Sequence, residues 1–238
     1  MNETIKVLME RKSVRAFEPK LIEKEIKDAI LDAAMRAPTA GNSMMYSIID
    51  VTSQELKDKL AVSCDNQPFI AKAPLVLVFC ADLRRLMLKY EQAGCENIPS
   101  PELSDLILAT NDTVIAAHAS CVAAESFGIG SCYIGDIIEQ WETHQKIMNI
   151  PNYVAPVSML VFGYPTEQQK NRVQPSRFPK EMIVFENQYQ DLSEEKLQEY
   201  MDDDKAVRFC ERKYKSDFSR EMVRSMNEIY KNWHSKEV

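Results

Sequence analysis

A basic cluster stands near the start of the chain: Arg11-Lys12-Ser13-Val14-Arg15. It offers a guanidinium fork, a hydroxyl and further cations within a few residues, a set that suits an anionic oxygen ligand such as a phosphate. The same run also reads as a solvated basic helix end that complements the helix dipole. Ala37–Ser43 (APTAGNS) collects small residues and a glycine, which let backbone approach a flat ligand closely, or simply stop a helix. Phe127–Asp136 (FGIGSCYIGD) is glycine-punctuated, but a helix precedes it and the glycine spacing is wrong for a dinucleotide fingerprint. A Rossmann site is therefore disfavoured, and a backbone ledge beside a ligand stays open. Lys170-Asn171-Arg172 and Pro175-Ser176-Arg177-Phe178-Pro179 place cations in a proline-bounded loop that can close over a phosphate or lie solvated.

The elements that carry these clusters follow from hydrophobic periodicity. Ile5, Leu8 and Met9 share one face of a short helix over residues 3–11. Ile22, Ile26, Ile30 and Ala33 repeat at helical spacing, and Pro38 stops that helix. Tyr46–Thr52, Leu75–Ala81, Ser131–Ile134, Val157–Phe162 and Met182–Phe185 read as strands. Short helices are expected over 55–61 and 137–148. The segment Leu103–Phe127 is the longest apolar helix, with apolar residues on more than one face, and is expected to be covered on most sides. Residues 166–179 read as a loop, and the stretch 89–102 as irregular. After Asp191 the chain is strongly charged, with two or three amphipathic helical stretches. One domain over 1–190, with 191–238 as its helical C-terminal extension, is the expected organisation.

Composition bounds the function. The chain has 238 residues, 45% hydrophobic and 27% charged, with a net charge of −7, an ordinary globular balance. Acidic overall, it does not fit a nucleic-acid coat or a polybasic membrane binder. The most apolar uninterrupted runs, Pro74–Ala81 and Ala155–Phe162, are far shorter than the ~20 residues of a spanning helix. No C-x-x-C pair or Cys/His cluster supports zinc or iron–sulfur ligation, and no metal is expected. With no export signal, reduced thiols and a cytoplasmic location are expected. No nucleophile elbow is present for a Ser-His-Asp hydrolase, and none of the histidines, His118, His144 and His234, is needed for the chemistry.

Taken in order, Arg11–Arg15, the A-P-T-A-G-N loop, Asn66-Gln67-Pro68 before the V-L-V-F-C-A-D strand, G-I-G-S-C-Y-I-G and the late S-R-F-P form a pattern. It resembles the nitroreductase family of FMN-dependent NAD(P)H oxidoreductases, in its longer-chain NADPH–flavin oxidoreductase branch, over residues 1 to about 190. The resemblance implies an α+β fold with a central, mostly antiparallel sheet flanked by helices, in an intertwined homodimer. It implies an enzyme that passes hydride from NADPH or NADH to FMN and then, in ping-pong fashion, to a small-molecule acceptor such as a nitroaromatic, a quinone or a flavin.

By the same resemblance Arg11, Lys12 and Ser13 would bind the FMN phosphate or ribityl chain, with Arg177 completing that site. Arg15 would reach the pyrimidine side, where a fixed cation stabilises the charge that reduction builds. Gln67 suits the polar pyrimidine edge, since its amide both donates and accepts. Pro38, Thr39, Ala40 and Asn42 would pack on one ring edge. Tyr133, Ile134, Gly135 and Asp136 would line the other side. Arg212 and Lys213 are the candidates for the 2′-phosphate of NADPH, within a segment whose interspersed acids also allow a plain solvated helix face. The family's Asn-x-Gln-Pro-Trp is here Asn42-Ser43-Met44-Met45-Tyr46, and the late basic motif carries an insertion that brings in Lys170 or Arg172. Two other readings stay open: a flavin-binding storage protein, and a dehalogenase-like enzyme using 89–102 as a lid.

Overall fold

In a computed structural model, which describes residues 1–235, all eight residues of Leu75–Asp82 (LVLVFCAD, β2) are buried. Only a strand covered on both faces allows this. β2 pairs antiparallel with β1 (Tyr46–Asp50) on one side and β4 (Val154–Gly163) on the other, and β3 (Gly130–Ile134) closes the order β1-β2-β4-β3. The period of two along β2 divides the core. Leu75, Leu77 and Phe79 face α2 (Lys24–Met35) and α6 (Leu103–Ser126) together with Ile30, Ala34, Ala116, Ala117 and Ala124. Val76, Val78 and Cys80 face the opposite layer with Leu60, Ile70, Trp141, Ile229 and Trp233. That layer is α3 (Gln54–Ser63), α4 (Pro68–Lys72), α7 (Trp141–Met148) and the last helix of the chain. α1 (Glu3–Glu10) and α5 (Arg84–Gln92) flank the sandwich.

The α+β expectation therefore holds, with a fully antiparallel sheet. Several local expectations need correction. Met182–Phe185 forms no strand: Lys180–Met182 is a single 3-10 turn, because no sheet edge lies there to pair with. The helix expected from 137 is broken. A 3-10 turn covers Gly135–Ile138, Gln140 takes a left-handed φ of 47°, and α7 begins only at Trp141. Residues 166–179 are not wholly loop, since Thr166 caps a helical turn, α8 (Glu167–Lys170). The stretch 89–102 is irregular only beyond Gln92, where α5 ends.

α6 alone among the described helices is long and apolar enough to cross a bilayer. In one chain it is covered on one side only. Its small residues pack on the sheet, while Ile107 (55% exposed), Leu108, Val114 and Ile115 (41% exposed) stand open on the far side. The expectation of cover on most sides is not met within a single protomer. After α8 the chain is thinly packed through α9 (Glu194–Tyr200) and α10 (Asp203–Cys210), and Met182 is the only buried residue between Gly163 and Ser225. The helix α11 (Asp217–His234) then returns to the core through Ile229 and Trp233. The last three residues of the expected extension, 236–238, lie outside the described residues.

Candidate active site

Arg11 leaves helical geometry (ψ 143°) and sends an N-terminal arm across the sheet ends. The Val14 amide donates to the Ser131 carbonyl at 2.8 Å and the Glu18 amide to the Tyr164 carbonyl at 2.8 Å. Two glycines make the crossing possible. A Cβ at Gly130 would come within 2.4 Å of Val14, and one at Gly163 within 2.7 Å of Phe17. With Val14 turned down onto Gly130, the extended period of two puts Ser13 and Arg15 on the other side of the arm. There they meet Cys132: burial pushes its thiol up, opposed by the charges of Arg15 and Arg11 and by hydrogen bonds from Arg15 and Ser13.

The loop after α8 is stitched to this arm. Lys12 Nζ donates to the carbonyls of Lys170 (2.5 Å) and Arg172 (2.7 Å). The Arg15 amide donates to Gln169 Oε1 at 3.3 Å, and Gln174 Nε2 to the carbonyls of Met9 and Arg11, both at 2.8 Å. The Arg172 guanidinium donates to the Ser13 carbonyl. Yet, among the described residues, Arg11 Nε and Arg172 Nε are both buried without a hydrogen-bond partner. An unmet charged donor is costly, so the two mark where an anionic acceptor fits.

Arg11 lines two clefts. One, of about 550 Å³, joins it to His118, Gln174, Ser176 and Arg177. The other, of about 390 Å³, holds Lys12, Lys170 and Glu125. Burial pushes the Glu125 carboxyl up to about 7, against the pull of Arg11 and Lys12.

The glycine-punctuated motif forms an open ledge at the end of β3. Ile134 ends β3, and a Cβ at Gly135 would meet nothing within 4 Å, so the turn faces open space. Gln67 Nε2 donates to Asp136 Oδ2 (2.8 Å) and to the Cys64 carbonyl (2.9 Å). Tyr133 Oη is buried without a partner, and burial pushes its phenol up. The ledge is held from behind by α11, with Gln140 N donating to Glu221 Oε1 (3.0 Å) and Trp141 N to Ser225 Oγ (3.2 Å). Asp136 also borders a cleft of about 420 Å³ with Asp65, Ser216, Phe218, Arg212 and Lys213. The candidate ring site and the candidate nucleotide cations thus share one opening.

Pro38–Asn42 stands apart. Among the described residues its hydrogen bonds do not reach Arg11–Arg15. It is held instead by Asp112 in mid-α6, which accepts the amides of Ala40 (2.9 Å) and Met45 (3.3 Å). Thr39 Oγ1 accepts the Met44 amide at 3.3 Å. Sequence reading missed Asp112, although it is the only acid between Asp105 and Glu125 in an apolar helix. Lys12, a candidate for the ligand, donates through its ammonium to the carbonyls of Lys170 and Arg172.

The model of the nitroreductase family matches residues 8–164. The chain is 33% identical over 192 residues to an FMN reductase (NADPH) of Bacillus subtilis, covering 79% of this chain and 75% of that protein. It is 31% identical over 200 residues to an oxygen-insensitive NADPH nitroreductase of Salmonella typhimurium, covering 84% and 80%. Its fold matches the NADPH:FMN oxidoreductase of Vibrio harveyi solved with NAD+, with a TM-score of 0.82, 26% identity and coverage of 96% and 98%. Nitroreductase A of Vibrio parahaemolyticus matches with a TM-score of 0.83, 27% identity and coverage of 99% and 100%. By the family match over about two thirds of its length, with relatives above 30% identity, the chain belongs to the nitroreductase family.

Proposed function

We propose that the chain is an FMN-dependent oxidoreductase that uses NADPH or NADH to reduce a small electron-poor acceptor, such as a nitroaromatic, a quinone or a flavin. The observation that carries this reading is the pair of buried, unpartnered guanidinium nitrogens on Arg11, in the arm, and on Arg172, in the loop bonded to that arm. Their chemistry fits a phosphate monoester, and Arg177 adds a third cation at the rim. When bound, FMN supplies the hydride chemistry, accepting from the nicotinamide and giving to the acceptor.

The chain's own residues bind and orient. Arg11, Ser13 and Arg172 hold the phosphate and ribityl end, while Lys12 fixes the loop that carries Arg172. Arg15 sets a cation on the pyrimidine side. Gln67 has already given its NH₂ to Asp136 and Cys64, so its amide oxygen is what it offers a ring N–H. Tyr133, Ile134, Gly135 and Asp136 support the ring, and the Asp136 carboxylate is a proton acceptor beside the open turn. Arg212 and Lys213 take the 2′-phosphate of NADPH, which their shared cleft with Asp136 supports. Pro38, Thr39, Ala40 and Asn42 pack on a ring edge contributed across a homodimer.

The dimer reading rests on the open apolar side of α6, with Ile107, Leu108, Val114 and Ile115, and on Ile5, Leu8 and Met9 of α1, which its own chain leaves exposed. A second copy supplies the matching face. Residues 1–190 and 191–238 form one domain in this reading, since α11 contributes Ile229 and Trp233 to the core. The six unpaired cysteines suit a reducing cytoplasm.

The test is direct. The purified chain should show flavin absorbance, bleach anaerobically with NADPH or NADH, and recover its colour when a quinone is added. A chain that takes up no FMN sinks the reading. A yellow chain that neither nucleotide bleaches is a flavin store instead.

A further inference from the structure

We propose that Asp112 is a positioning residue of the flavin site, holding the Pro38–Ser43 loop in the shape that meets the ring; this rests on the reading above that Pro38–Asn42 contact the flavin.

Asp112 is 3% exposed, in the middle of α6, and makes no ion pair among the described residues. Its charge is met by backbone instead: Oδ1 accepts from Ala40 N at 2.9 Å and Oδ2 from Met45 N at 3.3 Å. A buried carboxylate is retained only where its oxygens are satisfied. Here the two oxygens grip the loop at both ends, and three of the four residues between them have positive φ. Gly41 (φ 56°), Asn42 (φ 55°) and Met44 (φ 48°) are all left-handed, a region that asparagine tolerates and methionine does not favour. Such a loop persists only when its surroundings over-determine it. Thr39 Oγ1 accepts the Met44 amide from inside the loop, and the Arg85 guanidinium donates to the carbonyls of Met44 (2.9 Å) and Tyr46 (2.7 Å). Among the described residues, Asp112 supplies the hydrogen bonds that tie the loop to α6. Its neighbours on that helix, Leu108 and Ile115, lie on the open apolar side. The helix thus ties the loop geometry to the face on which a second copy would sit.

Asparagine at this position keeps the size and one acceptor, but turns an NH₂ toward a backbone N–H. Asp112→Asn should leave the chain folded, with a lowered Tm. Titrating FMN into the flavin-depleted chain should show at least fivefold weaker binding, and the visible circular dichroism of the bound flavin should change. Asp112→Ala, which orphans both amides, should be worse in each respect. Asp112→Ser repeats the test if the asparagine variant is not recovered. A lowered Tm with parental FMN affinity and parental flavin dichroism would overturn the proposal, because a purely structural carboxylate predicts that pattern. Ala40→Leu, measured alongside, separates the two readings. If it changes the flavin dichroism while Asp112→Asn does not, only the role of Asp112 fails. If Ala40→Leu itself leaves affinity and dichroism unchanged, the loop does not touch the flavin and the underlying reading fails.

Discussion

The two basic regions of the molecule are built on opposite plans. Arg11, Lys12, Arg15 and Arg172 sit on an arm and loop joined by side-chain hydrogen bonds to backbone carbonyls, over glycines that admit no side chain, with two guanidinium nitrogens buried and, among the described residues, unmet. Arg212 and Lys213 sit on an exposed, wider-wound turn at Glu211–Lys215, the first over the ring of Phe209 at 5.3 Å and the second over Phe218 at 5.9 Å. No residue of that turn is buried. The first plan holds donors in place before the ligand arrives, which suits a cofactor that stays. The second leaves cations on adaptable, solvated supports, which suits a co-substrate that must depart in every turnover.

The sharpest way to break this contrast is at the rigid region. Arg11→Ala should weaken FMN binding by about 1.5–3 kcal/mol, the range of a charge-assisted hydrogen bond. Adding Arg172→Ala should take the loss to roughly a hundredfold or more, measured by fluorescence titration of FMN. Unchanged affinity in the double variant would remove the arm from the phosphate site and leave the two regions alike.

Titration separates the regions as well. Glu125 shares a cleft with Arg11 and Lys12, and burial raises its carboxyl to about 7 from an ordinary 4.5. Between those values the folded chain keeps a proton that the unfolded chain has released. Stability from this group is therefore lost as pH rises from about 4.5 to about 7. Glu125→Gln should be more stable than the parent at pH 8, by on the order of 2 kcal/mol, and equal to it at pH 4. Glu211→Gln, at an exposed residue of the second region paired with Lys215, should change stability by less than about 0.5 kcal/mol at either pH. Chemical denaturation at the two pH values checks both. Equal responses would show that burial around Arg11 is not what distinguishes it.

Much of the rigid region was legible because its residues are adjacent in sequence. Arg11–Arg15 and Tyr133–Asp136 each gather their candidate groups within a few positions, and β2 carries an unbroken apolar run. What escaped was long-range. Asp112 binds a loop about seventy positions away, and its meaning depends on the N–H groups it meets. The reach of the Lys12 ammonium to the carbonyls of Lys170 and Arg172 is likewise absent from its local sequence. Met182–Phe185 had the pattern of a strand but no neighbour to pair with, since strand formation needs a partner edge. The open side of α6 was hidden because apolarity on several faces does not say whether the same chain covers them.

The adaptable region sets a smaller effect. NADPH should exceed NADH in kcat/KM by tenfold or more, on the order of 1.4 kcal/mol. Arg212→Ala with Lys213→Ala should erase most of that preference while the NADH rate stays nearly intact. Equal use of both nucleotides by the unmutated chain would sink the assignment without mutagenesis.

Arg15 carries the smallest expected effect and tests the contrast within the rigid region itself. Its backbone is fixed by Gln169, but its side chain is exposed, unlike the buried nitrogen of Arg11. If it lies on the pyrimidine side, its charge favours the reduced flavin, which carries more negative charge there, over the oxidised form. Arg15→Leu should then lower the midpoint potential of bound flavin. A full unscreened contact would approach the ~30 mV that corresponds to 1.4 kcal/mol in a two-electron couple. Solvent and salt screening of an exposed side chain reduce that to about 20 mV or less. Arg15→Lys keeps the charge and should recover most of the shift, whereas leucine should show little further dependence on ionic strength. Spectroelectrochemistry at low and moderate salt reads all of this. A potential that stays put or rises in Arg15→Leu would leave Arg15 as a structural tether of the arm, and confine the electrostatic role to the buried cations at the phosphate end.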